Sequence, residues 1–418
     1  MLAVNSVELG AVPPEQRRQT PFDLFLIFAG ANVVATTLQV GAGLAGRWSF
    51  GQATTVIVIG AVVGAALVAA LAPIGTRLGV PSIVASRAAL GFSGAQFLAL
   101  LLFVTNFAWI AINNVIAASI CARLYGGEQL MPVWAVGAGI VATVIVAGGP
   151  RLVGLADRFA VPALAVSGAV MTYACLGATW PAPDAAPASI TARGFFGALD
   201  VTAGYQSTWL LMFADYSRYN RSGRSAAVAV FLGLALTAAW FMPLGFAAAT
   251  IAGSDDPGAM VSAIGLGMWG ALWVMMATLT TNFVNIYMSA LALKSLRPST
   301  PDAAGVWLIG GVGAALSVLS TAWLNQFADI TLLLAGLMVP IGGILLAHYF
   351  LLAREVRVED LYDRTSRYAR TGGWSIAGVA AWAAGAVAFY VSSDIGGTLP
   401  ALAVAIAVYS ALARTRGD

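Results

Sequence analysis

The sequence is poor in charge, in histidine and in cysteine. Only 9% of its 418 residues are charged, whereas 60% are hydrophobic; soluble domains carry roughly 25% charged residues. One histidine and two cysteines, Cys121 and Cys175, offer neither a disulfide framework nor metal-ligand spacing. Catalytic machinery in a soluble domain is therefore excluded, and the net charge of +3 is too small to indicate a nucleic-acid partner.

The chain instead has many apolar segments that are long enough to cross a membrane. A helix needs about 20 residues to cross a hydrocarbon layer about 30 Å thick, and such segments recur from Phe22 to Ala413. We therefore predict an all-α integral membrane protein of about twelve transmembrane helices. The predicted spans are residues 22–46, 52–76, 93–122, 132–149, 158–180, 195–216, 224–252, 264–296, 303–324, 329–352, 372–392 and 398–414.

Basic residues are distributed unevenly between the predicted loops. All Lys and Arg residues except Arg47, Arg123 and Arg193 fall in the tails or in the alternate loops that lie on the same side as the tails. Because cytoplasmic loops carry the excess of basic residues, this side is predicted to be cytoplasmic. We expect a multi-pass protein of the cell inner membrane with both termini in the cytoplasm. Residues 1–21 lack the apolar core of a secretory signal and are predicted to be a cytoplasmic tail.

Two predicted helices carry small and polar residues within an apolar span. The first contains Gly30 and Asn32, and the sixth contains Gly204, Tyr205 and Gln206. Glycine-interrupted helices at matching places of two repeats indicate the substrate site of a secondary transporter, although the same residues could simply pack helices. We predict that helices one and six are interrupted and that the chain contains two inverted five-helix repeats. The first repeat is placed at 22–180, the second at 195–352, and two additional helices at 372–414.

Helices three and eight carry further polar candidates. Trp109 and Asn113 lie one turn apart, so that a flat heterocycle could stack on the ring while the amide binds its edge. On helix eight, Thr280 and Thr281 supply hydroxyl oxygens suited to a small cation. Helix packing remains the alternative for both sets. The candidate substrate contacts are Asn32, Trp109, Asn113, Gly204, Tyr205, Gln206, Asn282 and Asn285.

Ionisable residues are missing from the middle of the predicted spans. Asp23, Asp200, Asp215 and His348 all fall near predicted helix ends. Because a carboxylate or histidine at the midplane would be the default proton relay, sodium is favoured over protons as the coupling ion. No cofactor is predicted.

Six motifs, in order along the chain, resemble those of the nucleobase:cation symporter family, which comprises permeases for cytosine, purines, hydantoin and thiamin precursors. The similarity runs from Pro21 to about Gly373. The motifs are GAN with a later glycine (Gly30 to Gly41), GVPSIVASRAALGFSGA (Gly79 to Ala95), the Trp109 region, ADYSRY (Ala214 to Tyr219), TTNFVNIY (Thr280 to Tyr287) and GGILLAHYFLLAREVRVEDLY (Gly342 to Tyr362).

The resemblance implies the inverted-repeat fold of sodium-coupled amino-acid transporters, with the substrate between helices one, three, six and eight. Trp109 is similar to the family's ring-stacking tryptophan, and Asn113 takes the place of an amide that bonds the substrate edge. The family's second stacking aromatic falls on Gln206, with Tyr205 beside it. Sodium would be held by oxygens of the residues at the family's cation-binding positions: Gly30, Val33, Ala277, Thr280 and Thr281.

The expected function is uptake of a cytosine-like pyrimidine by cation symport, with alternating access and without enzymatic activity. Helices six and eight look closest to the thiamin-precursor branch, so hydroxymethylpyrimidine is an alternative substrate, as are a purine, hydantoin and allantoin. A membrane receptor that does not transport is the alternative from a different class.

Overall fold

The computed structural model describes residues 9–148, 150–180, 191–265, 267–297, 299–369 and 371–415, and within them the chain is helical. Residues 1–8 of the predicted tail lie outside this range. The α-helices are α1 Pro21–Asn32, α2 Ala35–Ala42, α3 Phe50–Leu78, α4 Ser82–Ala85, α5 Arg87–Tyr125, α6 Met131–Ala147, α7 Pro150–Gly177, α8 Ala192–Ser207, α9 Gly223–Ala252, α10 Pro257–Ala263, α11 Gly267–Leu296, α12 Asp302–Leu316, α13 Ser320–Asn325, α14 Phe327–Leu346, α15 Ile376–Val391 and α16 Thr398–Thr415.

Every predicted span overlaps one of these helices, which confirms an all-helical, multi-pass membrane protein. Among the described residues, six helices are long and apolar enough to cross a membrane by themselves, and the bent pair α1–α2 makes a seventh. Three shorter apolar helices lie in α6, α7 and α16. The count of twelve spans remains a prediction.

The first predicted span is broken, as its glycine and polar residues indicate. Helices α1 and α2 meet at an angle of 56°. The hydrogen-bond ladder of α1 ends where the Val33 N–H donates to the Ala29 carbonyl, and it restarts at the carbonyl of Val34, which accepts from Thr37. Since the last turn of one helix leaves carbonyls unpaired and the first turn of the next leaves N–H groups unpaired, the break presents backbone polar groups inside the bundle.

The sixth predicted span is interrupted in a different way from the first: it changes from an α-helix to a 3-10 helix. Helix α8 ends at Ser207, and a tighter 3-10 helix continues from Thr208 to Met212. A second 3-10 turn follows at Ser217–Tyr219. The α-helical ladder therefore stops soon after Gly204, Tyr205 and Gln206, close to the predicted interruption.

The two broken segments are held by the long helices α3 and α9. Helix α9 packs against α1, α2 and α3, whereas α3 packs against α8 as well as α9. Helix α5 packs along α11. The four elements that carry the candidate residues, α1–α2, α5, α8 and α11, therefore meet within one bundle.

A segment that precedes α1, residues 9–20 and here called the strap, lies across one end of the bundle. Val12 N–H donates to the Gly79 carbonyl at 2.8 Å, and Gln19 N–H donates to the Tyr219 carbonyl at 3.1 Å. The guanidinium of Arg17 donates to the Thr76 carbonyl at 2.7 Å. The strap thus joins the end of α3 to the 3-10 turn that follows the sixth span.

Candidate functional site

A narrow cavity lies where the break of the first span meets the third, sixth and eighth spans. Its volume is about 50 Å³, well below the roughly 300 Å³ at the small end of ligand pockets. The walls must therefore move apart before a heterocycle enters. The lining residues are Ala31, Thr36, Leu102, Thr105, Asn106, Trp109, Asn113, Tyr205, Thr208, Trp209, Met212, Thr281, Val284, Asn285 and Met338; we call this space the central cavity.

Three aromatic rings cluster at the central cavity. The Trp109 ring lies edge-on to that of Tyr205, with 5.8 Å between centroids, and edge-on to that of Phe327 at 6.2 Å. The Tyr205 hydroxyl is hydrogen-bonded to the hydroxyls of Thr36 at 2.8 Å and Thr37 at 2.9 Å. Tyr205 is thereby fixed between α8 and α2, and its ring and that of Trp109 form two sides of the cavity.

Three asparagines line the cavity and keep an amide atom without a partner among the described residues. The Asn113 Nδ2 donates to the Trp109 carbonyl at 2.9 Å, which turns the unpaired Oδ1 away from that carbonyl. The opposite flip would place two oxygens together, so this orientation is fixed by chemistry. Asn106 and Asn285 each have an unpaired Nδ2. Of the three buried amide atoms that lack a partner here, one is an acceptor and two are donors.

The structure brings five of the sequence-predicted residues to the central cavity and places others elsewhere. Trp109, Asn113, Tyr205, Asn285 and the proposed cation ligand Thr281 line it. The other four candidate substrate contacts, Asn32, Gly204, Gln206 and Asn282, are not among its lining residues.

Asn32 and Gln206 lie next to the cavity but point towards α9. Asn32 Nδ2 donates to the Leu234 carbonyl at 3.1 Å and to the Thr237 hydroxyl at 2.9 Å. Gln206 Nε2 lies 3.4 Å from the same carbonyl of Leu234. Because Gln206 follows Tyr205 by about 100° of helix turn, the two side chains point in different directions, Tyr205 towards Thr36 and Gln206 towards α9. Both amides therefore connect an interrupted segment to its neighbouring long helix.

Gly204 and Asn282 serve contacts between helices. A Cβ atom on Gly204 would lie 2.7 Å from the Cβ of Ala335, so the glycine permits α8 to approach α14. Asn282 Nδ2 donates to Asn114 Oδ1 at 2.7 Å and joins α11 to α5. Gly204 and Asn282 therefore hold neighbouring helices together and do not line the cavity.

The proposed cation ligands lie on two elements, the end of α1 and helix α11. Gly30 and Val33 lie at the end of α1, and Thr280 is buried on α11 next to Thr281. Ala277 lies one turn earlier on α11, and its side chain is outside the described ones. Ala31, between Gly30 and Val33, lines the same cavity as Thr281, and α2 contacts α11. A cation here would be held by neutral carbonyl and hydroxyl oxygens.

Asp200 departs from its sequence-based placement near a helix end. It lies in the middle of α8, and its carboxylate accepts hydrogen bonds from the N–H groups of Gly397 at 2.6 Å and Thr398 at 3.0 Å. These groups belong to the N-terminus of α16, where a negative charge is favoured. Asp200 therefore caps another helix and is not among the residues that line the cavity.

Sequence reasoning missed several lining residues. Asn106 lies three positions before Trp109, a spacing that shares a helix face, so that signal was available. Thr36, Thr208 and Trp209 lie beside predicted residues of the interrupted segments. Phe327 does not line the cavity but packs on the Trp109 ring; it had no signal in the sequence, because this contact joins α14 to a residue far away along the chain.

A multi-pass helical bundle with broken spans around a narrow, amide-lined cavity is typical of a membrane transporter of the secondary type. Residues 11–411 match the family model described as permease for cytosine/purines, uracil, thiamine, allantoin. The cytosine permease of Escherichia coli strain K12 is 23% identical over 350 residues, which cover 83% of this chain and 81% of that protein.

Solved structures of the nucleobase-cation-symport-1 family transporter Mhp1 share the fold. The closed conformation with bromovinylhydantoin bound superposes with a TM-score of 0.79 at 19% identity, covering 99% of this chain and 96% of that one. The inward-facing conformation gives a TM-score of 0.81 at 22% identity, covering 97% and 93%. The chain belongs to this nucleobase-cation-symport-1 permease family, and it is a transporter and not an enzyme.

Proposed function

We propose that this protein imports a cytosine-like pyrimidine by sodium symport, with the central cavity as the substrate site. The observation that carries the proposal is the combination of two aromatic walls, Trp109 and Tyr205, with three unpaired amide atoms on Asn106, Asn113 and Asn285. Buried polar atoms without partners are costly. A ligand that pairs them therefore gains both stacking and hydrogen bonds.

The amide pattern favours a particular kind of ring edge. One protein acceptor and two donors complement a ligand edge with one donor and two acceptors. Cytosine has this edge in its amino group, ring nitrogen and carbonyl, and in this pairing its amino group would donate to Asn113 Oδ1. Uracil offers the same numbers in a different order. The numbers alone do not separate these two bases, and we place cytosine first because the similar Escherichia coli protein is a cytosine permease; hydroxymethylpyrimidine, a purine, hydantoin and allantoin are the alternatives.

The contacts of α3 and α9 support the proposed inverted repeats at 22–180 and 195–352. Both helices carry a Pro-x-Gly sequence near their ends, Pro73 to Gly75 in α3 and Pro243 to Gly245 in α9. Gly245 allows α9 to touch the Leu38 backbone of α2, the second part of the first span. Gly75 allows α3 to touch Ala214, which follows the 3-10 part of the sixth span.

The N-terminal parts of α3 and α9 also pack against the interrupted span of the other half. Gly60 of α3 lies against Leu199 and Thr202 of α8, and Gly233 of α9 lies against Phe28 of α1. Each long helix thus packs on the interrupted span of the other half by glycine contacts. Alternating access by rocking of one half against the other requires two related halves around a central site, and these contacts fit such an arrangement.

Sodium is proposed at the oxygens of Gly30, Val33, Ala277, Thr280 and Thr281. Helix α1 directs its carbonyl end into the break, and the carbonyl end of a helix carries partial negative charge. The Thr281 side chain reaches the same cavity as Ala31. A cation bound there would neutralise the helix end and hold α1 against α11, which links its binding to closure around the substrate. Both termini are proposed to lie in the cytoplasm.

The test is uptake of labelled cytosine, hydroxymethylpyrimidine, uracil and adenine into liposomes that contain the purified protein. We expect cytosine to accumulate in the presence of an inward sodium gradient and to equilibrate slowly without it. Accumulation that ignores sodium but follows a proton gradient would reject the sodium site. Tight cytosine binding without uptake would identify a receptor, and uptake of another compound alone would reject cytosine as substrate.

A further inference from the structure

A second concave surface lies on the outside of the bundle, far along α1 from the break. It is a groove of about 540 Å³ between the beginnings of α1 and α9; we call it the outer groove. Its walls are mainly apolar, with Phe22 and Phe25 on α1 facing Val228 and Leu232 on α9. Phe22 is 66% exposed and Val228 is 50% exposed. In a membrane protein, an exposed apolar groove at this place faces lipid chains.

One rim of the outer groove is polar and basic. Arg224 lies on this rim together with Ser222 and Ser225. The side chain of Arg224 is exposed, and no hydrogen bond or ion pair joins it to the residues that the structure describes. Two more exposed arginines, Arg18 and Arg221, adjoin the groove along the chain. Arg221 donates from Nε to the Arg17 carbonyl at 2.7 Å and keeps its charge.

The nearest carboxylate on α1 is that of Asp23, which keeps its negative charge but forms no ion pair with an arginine among the residues that the structure describes. Asp23 accepts hydrogen bonds from the N–H of Thr20 at 2.9 Å and from its hydroxyl at 2.7 Å, so it caps its own helix. An arginine at the end of a membrane helix extends to the level of the lipid head groups. The rim therefore holds positive charge at the depth where a phosphate group lies, directly above the apolar walls.

We propose that the outer groove binds one acidic phospholipid, with an acyl chain between Phe22 and Val228 and the phosphate against Arg224. The apolar walls match the chain, and the arginines match a head group of net negative charge. Basic pockets between transmembrane helices are known to suit such head groups. Because α1 is one wall of the groove and also half of the broken span, the bound lipid touches the element that the proposed function expects to move.

The experiment measures lipid retention by native mass spectrometry of the full-length protein from mixed micelles containing equal parts of phosphatidylglycerol and phosphatidylcholine. We expect the wild type to retain one phosphatidylglycerol in preference to phosphatidylcholine. Arg224→Gln should lower this preference by about fivefold, the effect of one arginine near a charged membrane surface. Val228→Trp should lower retention of both lipids, because the indole fills the groove while leaving the charge in place.

Arg364→Gln is the matched control, since Arg364 is another exposed arginine and does not line the groove. It should retain phosphatidylglycerol like the wild type. Equal retention of the two lipids by the wild type, or equal losses in Arg364→Gln and Arg224→Gln, would overturn the proposal. Cytosine binding, measured on the same samples, reports separately on the central cavity, so failure of one site is distinguishable from failure of the other.

Discussion

The hydroxyl of Tyr205 on α8 lies 2.8 Å from the hydroxyl of Thr36 on α2, so a hydrogen bond joins the two interrupted spans beside the central cavity. Thr37 makes a second bond to the same oxygen at 2.9 Å. Tyr205 is buried. One side chain thus fixes an aromatic wall of the cavity and the relative position of two elements that alternating access must separate.

Tyr205→Phe is expected to keep the ring and lose both bonds. Two hydroxyls would be left in a dry site, so the free energy of unfolding should fall by about 1 to 3 kcal/mol. Thermal melting in detergent measures this loss. Tyr390→Phe is the control, because the Tyr390 hydroxyl is only 3.4 Å from its acceptor and the residue is half exposed. Equal melting of the two variants would contradict the role given to Tyr205.

Trp109→Ala should weaken cytosine binding without preventing insertion. Stacking of a base on an aromatic side chain contributes about 1 to 3 kcal/mol to binding. Since each 1.4 kcal/mol corresponds to about a tenfold change in affinity, the variant should bind cytosine about tenfold more weakly or worse. Titration of the purified protein with cytosine measures it. Trp307→Ala, at a tryptophan that is 52% exposed on α12, should bind normally; a similar loss in both variants would mean that Trp109 acts through folding alone.

Asn113→Leu tests the direction of the hydrogen bonds in the site. If Asn113 Oδ1 accepts from the amino group, the variant should lose affinity for cytosine but not for 2-pyrimidinone, which lacks that group. Asn106→Leu should weaken both ligands, because its Nδ2 is proposed to donate to an acceptor that both share. The expected loss is about 1 to 3 kcal/mol for each unpaired group. Parallel losses for both ligands in Asn113→Leu would contradict the proposed pairing.

The pair of substitutions Thr280→Val and Thr281→Val should abolish sodium stimulation of uptake. Valine nearly matches threonine in shape, so the fold should persist while two oxygen ligands are lost. Thr278→Val is the control on the same helix, because the Thr278 hydroxyl is bonded to the Val274 carbonyl at 2.8 Å. Counterflow, which needs no gradient, should continue in all variants. Sodium stimulation that survives the double substitution would place the cation elsewhere.

The Gln206→Phe substitution tests whether Gln206 takes the place of a stacking aromatic, as the sequence predicts, or packs between helices, as in the structure. If Gln206 occupied the place of a stacking aromatic, the variant would tighten cytosine binding. The structure instead packs Gln206 against Gly64 of α3, so a larger ring should destabilise the fold by about 1 to 3 kcal/mol. Melting temperature and cytosine affinity, measured together, decide between the two. Tighter binding at unchanged stability would restore Gln206 to the substrate site.

The sequence predicted the helical elements well because apolar length and charge bias are local properties of the chain. The break after Asn32 was also predictable, since glycine and polar residues interrupt an apolar run there. Helix α5 includes a short turn from Arg87 to Leu90 before Gly91, where φ is +80° and ψ is 174° and the Gly373 carbonyl approaches closely; the long part of α5 begins after this break, close to the predicted start at residue 93. That contact joins residues far apart in sequence and leaves no local signal.

The lining of the site was predictable only in part for the same reason. Trp109 and Asn113 share a helix face, so their common placement follows from helical spacing. Whether Asn32 and Gln206 face the cavity depends on α9, whose Leu234 carbonyl receives both amides. The spacing of residues within one helix does not determine which of two neighbouring helices a side chain will contact.

Movement of the strap during the transport cycle would be detectable with a water-soluble protease. Trypsin cuts after arginine, but only where the backbone can extend into the protease. Arg17 is held by its bond to the Thr76 carbonyl, and the following residues are held against Tyr219. Opening of this end of the bundle would separate α3 from that turn and release the strap. The rate of clipping at Arg17 would then report how often the end opens, without any label, and a substrate that locks the cavity closed would protect it.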